Sequence, residues 1–213
     1  MTTLLFVRHG ESEANLKDLF AGHFDAVLTA RGREQAVRTA AFLKEKYAVD
    51  VIYSSDLQRT IQTAQPIADI FQLPIIPDES LREISAGEWE GVHFYSIKDT
   101  HAQAFHIFMN DLGNAVCPGG ESVAEMDARV FETVCRIAKE DDGKTVVIVT
   151  HATPTRALQC RFMKQPLPFI QQIPWVSNAS VTEVQYDNGE FSLQKVSQDA
   201  HLADILTTLP TDI

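Results

Sequence analysis

The sequence predicts an α/β fold, a three-layer sandwich in which helices flank both faces of a mostly parallel central sheet. Residues 4–7 and 146–149 are continuously apolar, which is typical of strands that are buried on both faces. Helical patterns lie between the strands, and this alternation favours parallel pairing. Near the C-terminus, Asn188 and Gly189 separate two alternating segments and predict an antiparallel edge hairpin.

The first half of the chain alternates strand and helix patterns. Residues 11–25 are mixed in character and punctuated by glycine, so we interpret them as a loop. Thr29 can cap a helix that runs to about Tyr47. Residues 50–53 and 75–76 then read as two short strands.

Two helices are predicted to begin with a capping box. The pairs are Ser55 with Gln58 and, later, Ser122 with Glu125. At this spacing the first side chain accepts from the backbone N–H of the second residue, and the second side chain accepts from the backbone N–H of the first. Pro66 lies inside the first of these helices. We expect it to kink or interrupt that helix.

The segment at about residues 93–120 is rich in aromatic side chains and predicts a helical, lid-like excursion. The strongest strand signal, residues 145–150, follows later, and Thr153 and Pro154 have the residue types of the N-cap and first position of a helix of about ten residues. From Asp199 onward we expect a short helix and a tail.

Composition and charge limit the function classes. With 213 residues and no linker or repeat, one domain, residues 1–213, is expected. The start of the chain has no secretory signal, and the scattered residues Cys117, Cys135 and Cys160 favour a reducing, cytoplasmic location over disulfides or a zinc site. No apolar run could cross a membrane, and the net charge of −11 argues against nucleic acid or an anionic membrane as partner. The oligomeric state, including a homodimer, stays open.

Side chains suited to binding an anion follow three predicted strands. Arg8 and His9 follow the first, and His151 follows the strand at residues 145–150. Arg59 lies in the first turn of a helix, where free N–H groups also bind anions. Because the carboxyl ends of parallel strands open into a ligand-binding crevice, we expect a locally positive site in this acidic protein.

The run Arg8-His9-Gly10-Glu11-Ser12 resembles the signature of the histidine phosphatase superfamily, also called the phosphoglycerate mutase-like family. Further matches follow in the order and approximate spacing of that family: Asn15, Gly22, residues 25–29, Ser54 and Ser55 with Arg59, residues 81–91, residues 118–122, and His151. Several separated matches are far more specific than one short motif.

The resemblance implies a role for each principal site residue. His9 would attack phosphorus and become a phosphohistidine, while Arg8, Arg59 and His151 stabilise the transferred phosphoryl group. Glu83 would protonate the departing alkoxide and then activate water. The resemblance implies neither a metal nor a cofactor.

The same resemblance supplies a second group of residues that bind the substrate phosphate. Asn15 would donate a hydrogen bond, and Ser12 and Gly22 would complete the site. His151 is expected to be protonated, because a phosphate dianion raises the pKa of a neighbouring imidazole. Arg156 could reach the phosphate, although a salt bridge on the helix surface is the preferred interpretation.

Some alternatives stay open at this point. Glu88 and Glu90 lie near Glu83 and could replace it as the acid. Residues 84–89 and 117–122 resemble small phosphatases and α-ribazole-phosphatase-like members more than mutases, so a metal-independent phosphatase acting on a small, partly apolar phosphorylated metabolite is favoured. A phosphate or sulfate is expected to occupy its site. A cofactor-dependent phosphoglycerate mutase and a catalytically dead phospho-binding module are the alternatives.

Overall fold

Six strands form one mixed sheet in the computed structural model, which describes residues 1–207. The strands are β1 (Thr2–Arg8), β2 (Val51–Ser54), β3 (Ile75–Pro77), β4 (Thr145–Thr150), β5 (Val181–Asp187) and β6 (Glu190–Gln198). Their order across the sheet is β3-β2-β4-β1-β5-β6. The pairs from β3 to β1 are parallel, and β5 and β6 extend the sheet by antiparallel pairing. The predicted fold class is confirmed.

Helices cover both faces of this sheet. They are α1 (Glu13–Leu16), α2 (Ala30–Lys46), α3 (Gln58–Phe71), α4 (Ile97–Asn110), α5 (Val123–Glu140) and α6 (Ala152–Phe162). The helices α2 and α3 pack against one face, whereas α5 and α6 pack against the other, with α4 at the edge of the same core. Three layers result, with one apolar core on each side of the sheet.

The central strand β1 is continuously apolar because both of its faces are buried. Leu5 and Val7 pack in the core beneath α2 and α3, whereas Leu4 and Phe6 pack in the core beneath α5 and α6. Successive strand residues point to opposite faces, so a strand that is covered on both faces needs an apolar residue at each position. All four side chains are at most 1% exposed, and burying each contributes about 1.5–3 kcal/mol.

The predictions for α3 need two corrections. The helix begins at Gln58 with Leu57 as its N-cap, and no side chain caps it, because the Ser55 hydroxyl bonds to an imidazole instead. Pro66 does not interrupt the helix, which continues to Phe71. The turns on both sides of the proline bury apolar side chains in the core, and this burial outweighs the cost of about 3 kcal/mol of an interior proline.

Two other boundaries differ from the prediction. Residues 11–25 are not all loop: Ser12 and Asn15 form a capping box around the short helix α1. In α6, His151 is the N-cap in place of Thr153, so Pro154 is the third helical residue. Proline fits there because the first N–H groups of a helix have no partner within the helix.

The C-terminal part follows the predicted pattern. Asn188 and Gly189 have φ angles of 49° and 89° and connect β5 to β6, as expected for a two-residue hairpin turn. A short turn, Ala203–Ile205, confirms the predicted helix, and the last residues of the predicted tail lie outside the described residues. None of the helices in residues 1–207 is long and apolar enough to cross a membrane.

Candidate active site

The ends of three adjacent parallel strands bring the predicted site residues together. In the sheet, Arg8 at the end of β1 lies beside Thr150 at the end of β4. The next residues, His9 and His151, therefore emerge at the same edge, and their ring centroids are 5.2 Å apart. The strand β2 lies on the other side of β4 and leads at this edge to Ser55.

His9 is buried and neutral. Its Nδ1 donates a hydrogen bond to the Gly10 carbonyl at 2.8 Å, so Nε2 carries the lone pair and the ring lines the pocket. Burial lowers the pKa of His9 well below its ordinary value, and the charges of Arg59 and Arg8 lower it further. A neutral imidazole with one free nitrogen has the protonation state of a nucleophile.

Gly10 permits this arrangement by its small size. A Cβ at this position would lie 2.5 Å from the carbonyl oxygen of Gly32 in α2. Gly10 thus permits a close approach of the strand end to a helix. It places α2 directly behind the loop that carries His9.

Arg8 reaches across the pocket to the segment before β5. Its Nη1 donates to the Val176 carbonyl at 2.6 Å, while its buried Nε has no partner in the described part of the chain. Burial lowers the pKa of Arg8 to about 10, so the side chain still carries its charge at neutral pH. The site therefore contains a buried cation with an unused N–H group.

Arg59, the second residue of α3, is fully buried and held by three groups. It donates to the carbonyls of Gly22 at 2.7 Å and Phe24 at 2.9 Å, and its Nε donates to Nδ1 of His151 at 3.3 Å. Burial lowers the pKa of Arg59 to about 10. Gly22, with a φ of +48°, lines the pocket, and its contact with a substrate phosphate stays a prediction.

His151 forms a hydrogen bond with each of its two ring nitrogens. Its Nδ1 accepts from Arg59, so Nε2 carries the hydrogen and donates to the Ser55 hydroxyl at 2.9 Å. Burial and then the Arg59 charge lower the pKa of His151 well below its ordinary value. The ring is therefore neutral in this arrangement and lies behind the described pocket lining, and its protonation beside a bound phosphate stays a prediction.

Glu83 is the acidic residue that reaches the pocket among the three candidates. Its carboxylate accepts from the backbone N–H groups of Ile84 at 3.0 Å and Thr153 at 3.3 Å. Glu88 pairs with an imidazole of α4, and Glu90 accepts from backbone N–H groups outside the pocket. The geometry favours Glu83 over both neighbours.

Asn15 lies in the pocket wall, whereas Ser12 does not. Asn15 lines the pocket, and its Oδ1 accepts from the backbone and hydroxyl of Ser12 and from Asn178, which leaves its amide N–H group as the donor toward an anion. The Ser12 hydroxyl caps α1 and does not line the pocket. Its predicted contact with phosphate is thus replaced by a helix-capping contact.

Arg156 is not on the surface, which corrects the salt-bridge interpretation. It is 3% exposed, donates to the carbonyls of Ile170 and Ile173, and stacks on the Trp175 ring with 4.0 Å from Cζ to the ring centroid. A helix position one turn after His151 faces the core here, so backbone carbonyls rather than a carboxylate satisfy the guanidinium. Arg156 fixes a tryptophan of the pocket wall.

No local sequence pattern predicts the segment that closes this side of the pocket. Asn178 donates to the His9 carbonyl at 3.0 Å, and Trp175 and Asn178 both line the pocket. Asn178 and His9 are 169 residues apart, and no local pattern marks either Asn178 or Trp175. Only the antiparallel pairing of β5 with β1 brings this segment to the site.

The resulting pocket has a volume of about 180 Å³ and two unlike ends. Arg8, His9, Arg59 and Glu83 form the polar end. The other end is mainly aromatic and apolar: Leu19, Phe20, Ala21, Phe94, Tyr95, Phe108 and Trp175. Within residues 1–207, no three side chains of the metal-binding types come together as a possible metal site.

Comparison with known proteins agrees with this geometry. Residues 4–199 match the profile of the histidine phosphatase superfamily (branch 1). The chain belongs to the histidine phosphatase superfamily. This family assignment confirms the resemblance noted in the sequence, and with it the enzyme class, a phosphoric monoester hydrolase.

Three similar proteins illustrate the relationship. Phosphoserine phosphatase 1 of Hydrogenobacter thermophilus is 31% identical over 204 residues, which cover 96% of each chain. The metal-independent phosphoserine phosphatase of Arabidopsis thaliana is 28% identical over 96% of this chain and 85% of its own. The structure of YhfR from Bacillus stearothermophilus superimposes with a TM-score of 0.91 at 32% identity and covers 95% of this chain and 100% of its own.

Proposed function

We propose that this histidine phosphatase hydrolyses a small phosphomonoester, without a metal, through a phosphohistidine intermediate on His9. The observation that carries the proposal is the state of His9: a neutral ring whose Nε2 is free in the pocket, between the buried cations Arg8 and Arg59. A metal-independent relative supports the same chemistry. The free thiols of the described chain support a cytoplasmic location.

In the first half of the reaction, Nε2 of His9 attacks phosphorus and the bond from phosphorus to the ester oxygen breaks. Glu83, entering in its protonated form, gives its proton to the departing alkoxide. Charge spreads over the three equatorial oxygens in the transition state, so fixed cations stabilise it. Arg8 and Arg59 supply those cations, and Asn15 and Gly22 supply further contacts.

In the second half, the Glu83 carboxylate takes a proton from water. The water oxygen attacks phosphorus, the bond from phosphorus to Nε2 breaks, and inorganic phosphate leaves. His9 returns to its neutral form and Glu83 to its protonated form, so the cycle closes. Bound phosphoryl groups draw His151 toward its protonated form, because a neighbouring dianion raises an imidazole pKa.

The walls of the pocket favour a phosphatase over a mutase. Among the described residues that line the pocket, Arg8 and Arg59 are the lysine or arginine side chains, so a second anionic group on the substrate meets no further cation of these types. Phosphoglycerate carries such a group. A dead phospho-binding module is disfavoured as well, because the nucleophile His9 and the second arginine, Arg59, are both in place.

We also infer that the lid-like segment, residues 93–120, contributes to substrate choice. Phe94, Tyr95 and Phe108 from this segment line the pocket opposite the phosphate end. Trp175 is a further aromatic residue of the lining, so an ester with an aromatic or aliphatic alcohol fits better than a highly charged one. Phosphoserine, the substrate named for two relatives, also carries a carboxylate, but its ammonium group compensates that charge, so it is the natural candidate to compare with phosphoglycerate.

A substrate panel in EDTA tests the proposal. We expect turnover of p-nitrophenyl phosphate and phenyl phosphate, turnover of phosphoserine, and weaker hydrolysis of 3-phosphoglycerate. Interconversion of 2- and 3-phosphoglycerate that depends on a bisphosphate primer would contradict the phosphatase assignment. Phosphate binding with no turnover of any monoester would support the dead module instead.

A further inference from the structure

Glu83 lies in a loop whose backbone is not part of a helix or strand. Residues 82–86 follow the short turn Glu79–Leu81 and precede another, Gly87–Trp89. Buried backbone groups nearly always have hydrogen-bond partners, so the partners of such a loop determine where its side chains point. In this loop the partners are mostly side chains from other elements.

Arg129, on α5, binds two carbonyls of this loop and one just before it, and the Glu83 carbonyl also contacts Nε2 of His23 at 3.0 Å. Its Nη1 donates to the carbonyls of Ser80 at 3.0 Å and Arg82 at 3.2 Å, and its Nη2 donates to the carbonyl of Glu83 itself at 3.2 Å. Its remaining hydrogen bonds go to both carboxylate oxygens of Glu121, at 2.8 and 2.9 Å. The Arg129 guanidinium therefore binds the loop and the Glu121 carboxylate at the same time.

Glu121 completes the arrangement from the other side of the loop. Its carboxylate accepts the N–H group of Ser85 at 2.8 Å, and its own N–H group donates to the Ser85 carbonyl at 2.9 Å. Burial opposes ionisation of this carboxyl, yet hydrogen bonds from Arg129 and Ser85 keep the pKa of Glu121 below its ordinary value. The pair is thus a fixed ion pair bonded to the backbone on both sides of Glu83.

We propose that the Arg129–Glu121 ion pair is the positioning device for the proton donor Glu83. The inference rests on the proposed function, in which Glu83 protonates the leaving oxygen. Neither member of the pair lines the pocket, so neither touches the substrate. A proton donor must be held within about 0.5 Å of its productive place, and the carbonyl of Glu83 is itself a ligand of Arg129.

The leaving group of the substrate provides a readout that a purely structural role would not change. Phenyl phosphate and p-nitrophenyl phosphate have nearly the same shape, but phenolate is the more basic leaving group and depends more on the proton donor. Their kcat/KM values report the steps up to loss of the alcohol. The ratio of the two values therefore measures how well Glu83 delivers its proton.

The experiment measures this ratio in Arg129→Met, Glu121→Gln and Glu83→Gln, together with a control on the same helix. Arg129→Met is expected to lower kcat/KM for phenyl phosphate about tenfold more than for p-nitrophenyl phosphate, and Glu83→Gln to show a larger selective loss. Arg136→Met is the control, because Arg136 also forms two ion pairs on α5, with Asp78 and Glu140, but does not contact the loop around Glu83. Its ratio should equal that of the wild type.

Each result bears on a separate claim. An equal loss on both substrates in Arg129→Met, with a selective loss in Glu83→Gln, would overturn the positioning role and leave the proposed function intact. An equal loss in Glu83→Gln would instead remove Glu83 as the proton donor. If Arg129→Met does not fold, Glu121→Gln, which keeps the shape and removes the charge, decides the question with the same ratio; an unchanged ratio there contradicts the proposal.

Discussion

The ends of β1 and β4 look alike in sequence but place their histidines in opposite hydrogen-bonding states. His9 donates from Nδ1 to a backbone carbonyl and keeps Nε2 free in the pocket. His151 uses both ring nitrogens, accepting from Arg59 and donating to Ser55. The partner of one nitrogen fixes what the other can do, so only His9 is arranged as a nucleophile.

The neutral state has a different meaning for each of the two buried imidazoles. Burial and the charge of Arg59 lower the pKa of both histidines, so both are neutral. For His9 neutrality is the reactive state. For His151 it is a resting state that an anion can change, since the dianion would compensate the charge of Arg59. Substitution, phosphate binding and pH each test this difference between the two rings.

His9→Ala should lower kcat for p-nitrophenyl phosphate at least about a thousandfold, because His9 is the imidazole with a free ring nitrogen in the described pocket lining. No acid-labile phosphoenzyme should form when the variant is quenched during turnover. Circular dichroism checks that the fold is retained. A phosphoenzyme that persists in this variant would place the nucleophile elsewhere.

His151→Gln should cost less, about a hundredfold in kcat, the scale for loss of one group that stabilises the transition state. The phosphoenzyme should still form, more slowly, since His9 keeps its free Nε2. Quench-flow measurement of its formation separates the two strand ends. A complete absence of phosphoenzyme in this variant would show that the two rings act as one unit.

The position of the two histidines could be predicted from the sequence, but their protonation states could not. Continuous apolar residues before His9 and His151, with parallel pairing, place both rings at one edge of the sheet. Their protonation states depend on Ser55 and Arg59, which reach His151 across other strands and helices. The sequence assigned Ser55 to a helix cap, because a local spacing cannot show that its hydroxyl bonds to a residue 96 positions away.

Other differences have the same origin. Arg156 was expected on the helix surface because it is charged. In the structure it is buried, where two backbone carbonyls accept its hydrogen bonds and the Trp175 ring stacks on it. Asn178 reaches His9 only because β5 pairs with β1. Local patterns predicted the strands, the hairpin and most helices, whereas contacts between distant segments determine which side chains line the pocket and which stand behind it.

Binding of inorganic phosphate should distinguish the rings by their titration. Without phosphate, both imidazoles should titrate well below their ordinary pKa, for the reasons given above. With phosphate, we expect the pKa of His151 to rise by at least about one unit, as beside an opposite charge. NMR signals of ¹⁵N-labelled histidine, assigned with His9→Ala and His151→Gln, measure the shifts. An unchanged His151 titration would exclude its response to the anion.

The smallest expected effect is one in which the two rings behave alike. Both have lowered pKa values in the folded state, so below their ordinary pKa of 6.5 the unfolded chain binds more protons and stability falls as the pH falls. Each ring should remove about 1 kcal/mol from the free energy of unfolding between pH 6.5 and 5.5. Urea unfolding of His9→Gln and of His151→Gln should each show a smaller loss of unfolding free energy between these pH values than the wild type, and replacement of the exposed His93 is the control.

Unequal changes in the two variants would mean that one ring keeps its proton in the folded state. Equal changes would show that the two strand ends differ in hydrogen bonding and chemistry, and not in how strongly burial disfavours their charge.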